Sequence, residues 1–453
     1  MKLSAIYLLP ALLIVISRPI WASTVAVIDS GIDFQHPELV NHVWVDSREI
    51  PNNNRDEDGD GYQDDVSGWN FAEDNNKLID YSYQNYLNDD IKEFFRIQGK
   101  IYTRDITPDE ITWIKAKASD AEFIARLTTY GNYMHGTHVS AIASKNSSNQ
   151  VMGIKLIPTE IKLPKANTNK GVSMFLAKLL LKTVAKQQAA LMENIFAYVS
   201  AHNIAVANGS FGTGFPQAQM IAKLILDKLS AKDPTQEEID ELATFFIEQT
   251  LASNSVAIQQ APNTLFVFAA GNDGSNNDQF PASPTNLAIN HDNVISVGAT
   301  FADLEFANFS NFGNAVDVAA PGVNILSATP NNNYLQVSGT SQAAPYVANI
   351  ATQIRAINPK LSPKEVKRII LETADVKAYL VGKVKTSGLV NPARSVTAAE
   401  LSRNASLSEA IQVAKSYVIN ADDGIDKSAF EVDPMVDYDI QVMPLPAMFV
   451  VSE

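Results

Sequence analysis

Short runs of strand-forming residues alternate with longer stretches of helical spacing over most of the chain. Residues 24–28 (TVAVI) lead into Asp-Ser-Gly, and residues 264–272 (TLFVFAAGN) end in a turn, as buried strands do when they leave a sheet. Apolar residues at intervals of three and four predict helices over 88–128, 171–201 and 216–258. Strands that alternate with helices predict an α/β fold, in which helices cover both faces of a mostly parallel sheet.

Helix-start signals lie within or beside these stretches. Residues 107–110 (TPDE) combine a capping threonine with a proline at the first helical position, and residues 233–235 (DPT) form a second start signal. The stretch SQAAPYVANIATQIRAI follows Ser-Gly-Thr and is rich in small residues, which predicts a buried helix from residue 341. After about residue 400 the spacing becomes weaker, and the tail is first acidic and then apolar.

Composition narrows the class of protein. Of 453 residues, 46% are hydrophobic and 19% are charged, which is enough for a sizeable core and argues against global disorder. The net charge of −15 argues against nucleic acids and anionic membranes as partners. There is no cysteine, so a thiol nucleophile, thiolate metal sites and disulfides are excluded. Stability must therefore come from the core or from bound ions.

The first 22 residues have the pattern of an export signal. Lys2 precedes an apolar run that is too short and too interrupted by proline for a typical spanning helix, and Ile20-Trp21-Ala22 is an acceptable cleavage context before Ser23. We therefore predict a signal peptide at 1–22 and a secreted or periplasmic protein that makes no membrane contact after cleavage. An uncleaved membrane anchor is the alternative.

Four segments carry residues suited to catalysis. VAVIDSGID places Asp29 at the end of a strand, and HGTHVSAIAS places His135 at a predicted helix start. FVFAAGNDGS places Asn272 just past a strand, and SGTSQAAPYVAN places Ser341 at the start of the buried helix. Because sites in open α/β sheets form at the carboxyl ends of the strands, we expect these four side chains to lie near one another.

These segments resemble those of subtilases, the subtilisin-like serine proteases. The motifs D-S-G, H-G-T-H, A-A-G-N and G-T-S-x-A-x-P occur in the family's order, with aspartate before histidine before serine. The resemblance covers roughly residues 24–400 and is interrupted by insertions. It implies a subtilisin-like three-layer fold and a secreted bacterial type, here without room for a propeptide between the signal and Asp29.

The resemblance also implies a serine endopeptidase that cleaves protein or peptide substrates through an acyl-enzyme. Ser341 would be the nucleophile and His135 its general base and acid, since a hydroxyl alone is too weak a nucleophile. Asp29 would orient His135, and Asn272 with the Ser341 backbone N–H would stabilise the oxyanion. This chemistry requires no cofactor. A pseudoprotease that binds peptides with little or no turnover is the alternative, and a calcium-dependent adhesin is a weaker one.

Substrate binding is implied by the same resemblance. Ser210, Phe211 and Gly212 match the strand whose backbone pairs with an extended substrate, and Ala270 and Gly271 match the wall of the primary pocket. Phe211 replaces the leucine that is usual in the family. Four further positions, at which the family usually has glycine, methionine, histidine and glycine, are here Ala141, Gln342, Tyr346 and Asn349. None of these is a catalytic group.

An acidic loop at 51–65 reads PNNNRDEDGDGYQDD. Its Asp-x-Asp-x-Asp-Gly segment matches the first half of an EF-hand loop, but Ser67 stands where that motif needs a bidentate glutamate. The loop is therefore not an EF-hand, although its carboxylates could form another oxygen cage. We predict a structural Ca²⁺ here, with a solvated acidic loop as the alternative. The predicted ligands are Asp56, Asp58, Asp60, Asp64 and Asp65.

The other histidines have plainer interpretations. His36 follows the turn pattern D-x-x-H-P, which favours a role in a turn. His138 completes an HxxH pattern that can mark a metal site, but the Gly-Thr between the two histidines favours a structural role. His42, His202 and His291 have no ligand-like company in the sequence.

We divide the chain into a signal peptide at 1–22, a subtilisin-like peptidase domain at 23–400 and an acidic extension of unknown role at 401–453. Helical insertions at about 75–130 and 214–258 interrupt the domain, and the first could border the cleft. We expect a monomer. Without a propeptide, the enzyme could fold unaided with calcium, rely on its insertions or tail as chaperone or restraint, or be weakly active.

Overall fold

The computed structural model describes residues 23–160, 174–229 and 233–420. The predicted signal peptide and the tail from residue 421 lie outside these ranges. Within them, none of the helices combines the length and the apolar character that crossing a membrane requires.

A ten-stranded sheet forms the centre of the molecule. In chain order the strands are β1 Thr24–Asp29, β2 Gly68–Asn70, β3 Gln150–Lys155, β4 Val206–Gly209, β5 Leu265–Ala269, β6 Val294–Phe301, β7 Glu305–Phe306, β8 Val318–Pro321, β9 Ile325–Thr329, β10 Asn333–Val337, β11 Asp375–Val376 and β12 Gly388–Leu389. Their order across the sheet is β11-β12-β8-β6-β5-β4-β1-β3-β2, with β7 paired to β6. Neighbours run parallel except β11 with β12 and β6 with β7, and β9 and β10 form a separate antiparallel ribbon.

Helices cover both faces of this sheet. In chain order they are α1 Asp89–Thr103, α2 Pro108–Ala118, α3 Ala121–Ser144, α4 Met174–Ala201, α5 Phe215–Leu229, α6 Gln236–Ala257, α7 Thr340–Ile357, α8 Pro363–Thr373, α9 Pro392–Leu401 and α10 Leu407–Tyr417. Successive side chains of a strand point to opposite faces. Val25 and Val27 of β1 therefore join a core with Val347 of α7, whereas Ile28 joins another with Phe196 of α4. The predicted α/β class is confirmed.

Local signals set the helix boundaries. Thr107 and Glu110 form a capping box at the start of α2, and Pro108 takes its first position, as the sequence indicates. Thr235 caps α6 in the same way, so the helical stretch 216–258 divides there into α5 and α6. The stretch 88–128 divides into α1, α2 and the first part of α3.

The prediction of a helix start at His135 is wrong. Helix α3 begins at Ala121, where the Asp120 side chain caps the first turn, and it continues through Gly136. The glycine does not end the helix. It lets α3 approach the turn after β1, because a Cβ at Gly136 would lie 2.2 Å from the Gly31 carbonyl oxygen. His135 is therefore carried on a rigid helix interior that packs directly on β1.

Helix α10 lies beyond the boundary that we predict at residue 400. Its Ile411 and Ala414 are fully buried in the same core as α7. The division of the chain at residue 400 stays a prediction, but the residues up to the end of α10 pack on the sheet domain.

Candidate active site

A buried hydrogen bond joins two of the predicted catalytic residues. Asp29 ends β1 and is fully buried, and its Oδ1 lies 2.7 Å from His135 Nδ1. Because an ionised carboxylate only accepts hydrogen bonds, His135 Nδ1 carries the proton and Nε2 keeps its lone pair. The backbone N–H of Ser30 also donates to Asp29 Oδ1, over 2.7 Å, and helps to hold the carboxylate. In this arrangement Nε2 can act as a base.

Ser341 lies at the first turn of α7, opposite the carboxyl end of β4. Its Oγ donates to the Ser210 carbonyl over 3.3 Å, and Ser210 Oγ donates back to the Ser341 carbonyl over 3.0 Å. Ser210 directly follows β4, so this pair of bonds fixes the start of α7 to the strand end. In the described part of the chain, Ser341 Oγ makes no hydrogen bond with His135 Nε2. The hydroxyl must turn away from Ser210 before it can donate there.

Asn272 is held by Thr340, a residue that the sequence reasoning did not single out. Asn272 Oδ1 accepts from the Thr340 N–H over 2.9 Å and from Thr340 Oγ1 over 2.8 Å. Thr340 Oγ1 in turn accepts from the Gly271 N–H over 3.2 Å. These bonds occupy the carbonyl side of the amide, so Nδ2 is the group that it presents elsewhere. Ser341 N belongs to the first turn of α7, where backbone N–H groups have no intrahelical partner, so it is a second available donor.

The residues predicted to bind substrate follow two neighbouring strands. Residues 210–212 follow β4 and Ala270–Gly271 follow β5, and all five are buried. The Phe211 ring is fully buried, with its centroid 6.1 Å from that of Phe268, so its side chain is not available to a substrate. The Gly271 carbonyl accepts from the Asn311 N–H over 2.9 Å, which holds the end of β5 in place. These backbone segments lie at the same sheet edge as Asp29 and Asn272.

A model of the subtilase family matches residues 22–393. The chain belongs to the subtilase family. The resemblance drawn from the four motifs is confirmed.

Individual relatives of this subtilase differ in how much of it they match. Subtilisin-like protease 1 of Plasmodium vivax is 26% identical over 384 residues, which are 83% of this chain and 47% of that protein. Cell wall-associated protease of Bacillus subtilis is 44% identical over 113 residues, which are 25% of this chain and 12% of that protein. This chain thus spans about half the length of the first relative. The crystal structure of a cold adapted subtilisin-like serine proteinase aligns over 82% of this chain and 86% of its own, with 20% identity and a TM-score of 0.42.

Two departures from the family pattern make polar contacts between helices of this subtilase. Asn349 Nδ2 donates to the Ile142 and Lys145 carbonyls over 3.0 and 2.9 Å, which ties α7 to the end of α3. Gln342 Nε2 lies 3.5 Å from His138 Nδ1 in the same interface. The larger side chains at these positions therefore hold α3 and α7 together.

His138 and His36 have the structural surroundings expected for them. His138 is fully buried, and its Nε2 lies 3.1 Å from the Leu335 carbonyl. Burial lowers the pKa of His138 to about 3, so its ring is neutral at ordinary pH. His36 Nδ1 accepts from the Glu38 N–H over 3.2 Å, within the turn. Among the described residues, neither histidine belongs to a group of possible metal ligands.

The acidic loop brings together a different ligand set from the predicted one. The possible metal-binding groups, whose donor atoms lie within 4.8 Å of one another, are Glu49, Asp56 and Asp58; Asp46, Asp58 and His202; and Asp60, Asp65 and His202. Asp64 belongs to none of them. Its two carboxylate oxygens accept from the Asn53 and Asn54 N–H groups, each over 2.9 Å, so it organises the loop backbone.

The interpretation of His202 as a histidine without ligand-like company is wrong. Its side chain is only 1% exposed, and Nε2 faces four carboxylates. The distances to the Oδ2 atoms are 3.1 Å for Asp46, 4.0 Å for Asp58, 3.6 Å for Asp60 and 3.9 Å for Asp65. The loop lies far upstream in the sequence, so no local pattern could reveal this contact. Burial raises the pKa of Asp65 to about 7, a sign of how poorly its charge is solvated.

Proposed function

We propose that this subtilase is a serine endopeptidase that hydrolyses peptide bonds through an acyl-enzyme. Ser341 is the nucleophile, His135 the general base and then the general acid, Asp29 the residue that orients His135, and Asn272 the oxyanion donor. The observation that carries the proposal is the buried 2.7 Å hydrogen bond from His135 Nδ1 to Asp29. That bond fixes the tautomer in which Nε2 is free to accept a proton.

The steps follow from the positions of these groups. Ser341 Oγ turns from Ser210 to His135, gives its proton to Nε2 and attacks the carbonyl carbon of the substrate. The negative charge that develops on the carbonyl oxygen receives hydrogen bonds from Asn272 Nδ2 and the Ser341 N–H. His135 then gives the proton to the leaving amine. In the second half, a water molecule gives a proton to His135 Nε2 and attacks the carbonyl carbon of the acyl-enzyme. His135 then returns the proton to Ser341 Oγ, so the acid product leaves and the serine hydroxyl is restored.

Substrate recognition rests on backbone rather than on side chains. Because the Phe211 ring is buried, residues 210–212 offer their main chain to an extended peptide, which can pair with them as an additional strand. Ala270 and Gly271 contribute one wall of the pocket for the first side chain. Both positions carry little or no side chain, so this wall leaves room for a substrate group.

The proposal includes a structural Ca²⁺ at the group Glu49, Asp56 and Asp58. All three donors are carboxylate oxygens, the ligands that Ca²⁺ prefers. Asp58 Oδ2 is buried and accepts no hydrogen bond among the described residues, although the Arg48 guanidinium lies 2.8 Å from it as an ion-pair partner. Asp64 belongs to none of the possible metal-binding groups, so it is not part of this site.

The proposal also covers organisation and location. We place the peptidase domain at 23–400 and expect an exported monomer, secreted or periplasmic, that acts on proteins or peptides. The sequence pattern of residues 1–22 supports export, as does the description of the Bacillus subtilis relative as cell wall-associated.

Covalent labelling tests the nucleophile. A fluorophosphonate probe should label the purified protein in the presence of Ca²⁺, and Ser341→Ala should abolish labelling. Ser338→Ala, which alters another buried serine near the start of α7, is the matched control and should keep it. A peptide blocked at both ends should be cut internally, as detected by mass spectrometry, because an exopeptidase cannot start on it.

One observation favours a second candidate, a peptide-binding pseudoprotease. Ser341 Oγ donates to the Ser210 carbonyl, and among the described residues it makes no hydrogen bond with His135. A folded, calcium-replete sample that binds peptides but takes up no fluorophosphonate and cuts no blocked peptide would support this candidate and overturn the enzyme.

A further inference from the structure

The His202 side chain is oriented so that its Nε2 could bind a ligand. It directly follows α4, and its Nδ1 lies 2.9 Å from the Tyr198 carbonyl oxygen. Since a carbonyl only accepts, Nδ1 carries a proton, and the lone pair of the neutral imidazole is then on Nε2. Metal-ligating histidines commonly donate their second nitrogen to a backbone carbonyl in this way. The free nitrogen is thus directed at the acidic loop.

The surroundings of Nε2 do not satisfy it with a hydrogen bond. The nitrogen is buried and has no hydrogen-bond partner among the described residues. The nearest carboxylate oxygen, Asp46 Oδ2, is 3.1 Å away but does not lie in line with the ring for an N–H bond.

Arg48 neutralises one half of the cluster and not the other. Its guanidinium lies 2.5 Å from Asp46 Oδ2 and 2.8 Å from Asp58 Oδ2. On the other half, Asp60 Oδ2 and Asp65 Oδ1 are buried and lack hydrogen-bond partners in the described ranges. Buried carboxylate oxygens in native proteins are normally paired with a donor or a cation.

The spacing of the unpaired half fits a metal ion. His202 Nε2 lies 3.6 Å from Asp60 Oδ2 and 3.9 Å from Asp65 Oδ2. Asp65 Oδ2 accepts from the Tyr198 hydroxyl, so Oδ1 is the unpaired oxygen of Asp65. Ligands held at roughly 2.0–2.2 Å from one ion in a tetrahedral or octahedral shell lie roughly 3.0–3.6 Å apart. Contraction by a few tenths of an ångström would bring these donors into a shell.

We propose that Asp60, Asp65 and His202 bind one divalent transition-metal ion, with Zn²⁺ as the best match. A donor set that includes an imidazole nitrogen favours Zn²⁺ and related ions, whereas Ca²⁺ is held by six to eight oxygens. This site is separate from the all-oxygen group Glu49, Asp56 and Asp58. It does not depend on the proposed peptidase activity.

The bound ion would join two segments that are distant in sequence. It links the loop 51–65 to the connection between α4 and β4, and β4 leads to Ser210 at its other end. The ion therefore lies at the end of β4 away from Ser341. We assign it a stabilising role, as a cross-link in a chain that has no cysteine.

Metal binding by the untagged full chain tests the proposal. After chelation and dialysis, titration with ZnCl₂ by calorimetry should give one tight equivalent that a hundredfold excess of CaCl₂ does not displace. His202→Gln and Asp60→Asn should weaken Zn²⁺ binding by more than about tenfold. His42→Gln is the matched control, because His42 also has Nδ1 near a backbone carbonyl, 2.8 Å from Asn149 O, and it should bind like the wild type.

The ligand shell of the wild-type protein gives an independent readout that needs no variant. X-ray absorption at the zinc edge should show a nitrogen and oxygen shell with the signature of one imidazole. A shell without imidazole, Zn²⁺ affinity unchanged in folded His202→Gln, displacement by Ca²⁺, or no stoichiometric binding would each overturn the site.

Discussion

Two buried histidines in this molecule face carboxylates, and they differ in which ring nitrogen does so. His135 contacts Asp29 through Nδ1, so the negative charge lies on the far side of the ring from the nitrogen that would act. His202 has a backbone carbonyl at Nδ1, and four carboxylates lie around the free Nε2 itself. The first arrangement orients a base. The second places negative charge where a cation would lie. We therefore propose proton transfer for the first pair of histidine and carboxylate and ion binding for the second.

The largest expected effect is on kcat, and it tests the role of His135. His135→Ala should lower kcat for a blocked peptide by about 10⁶, because the nucleophile loses its only base. Steady-state kinetics on purified variants measure the change. His42→Gln, a partly buried histidine away from β1's carboxyl end, is the control and should keep wild-type kcat. A His135→Ala protein that retained about one hundredth of wild-type kcat would show that another group takes the serine proton.

The next largest expected effect on kcat concerns Asn272, the proposed oxyanion donor, and Thr340, which orients it. Asn272→Ala should lower kcat by about 10²–10³ with little change in KM, since the bond forms only in the transition state. Thr340→Val should lower kcat less, about tenfold, because it removes the hydroxyl that orients the amide but keeps the amide itself. Kinetics with the same peptide separate the two.

Thr340→Ser is the matched control for the second variant. It restores the hydroxyl that accepts from Gly271 and donates to Asn272, and it should recover most of the lost kcat. Equal losses for Thr340→Ser and Thr340→Val would contradict a positioning role for the hydroxyl.

Ion binding at the second histidine should appear as stability rather than as rate. At free Zn²⁺ about 100-fold above its Kd, binding to the folded state adds about 2.7 kcal/mol to the free energy of unfolding. Chelation should remove this increment, and Zn²⁺ should return it. Thermal or urea unfolding of the wild type with and without Zn²⁺ measures the change. In His202→Gln the increment should be absent, and an undiminished increment there would separate the stabilising ion from His202.

The sequence alone was enough to predict which residues come together where their motifs lie at the edge of the sheet. Asp29, Asn272 and Ser341 each stand in a short motif whose secondary structure is set locally, and the parallel sheet brings the three ends to one edge. His135 lies in such a motif too, but the sequence predicted a helix start there, whereas α3 begins at Ala121. The close approach of α3 to Gly31, which decides the role of Gly136, is a tertiary contact that no local pattern encodes.

The second cluster could not be predicted because its parts converge through the fold. The sequence of the loop at 51–65 is visibly acidic, and its number of carboxylates suggested a bound cation. His202 is isolated in the sequence and joins the loop only through the end of α4. Asp64 shows the converse limit, since it looks like its neighbours in the sequence but belongs to none of the possible metal-binding groups.

His138 is a third case, a buried histidine whose ring contacts no carboxylate among the described residues. Its ring faces the Leu335 carbonyl, and burial lowers its pKa to about 3. An unfolded chain has a histidine pKa of about 6.5, so between pH 6.5 and 3 the unfolded state binds the extra proton. Stability from this residue is therefore complete above about pH 6.5 and falls as the pH falls, with a slope of up to about 1.4 kcal/mol per pH unit.

Urea unfolding at pH 8, 7, 6 and 5 tests this smallest effect. His138→Gln should be less stable than the wild type at pH 7, because a packed ring is lost, but its free energy of unfolding should fall less steeply between pH 6 and 5. Between pH 8 and 7 His138 is neutral in both states, so the two slopes should coincide there and serve as the internal control. Parallel curves down to pH 5 would mean that the ring takes up its proton equally in the folded and unfolded states, which contradicts the lowered pKa. In that case, the absence of a neighbouring carboxylate would not set the behaviour of His138 apart from that of His135 and His202.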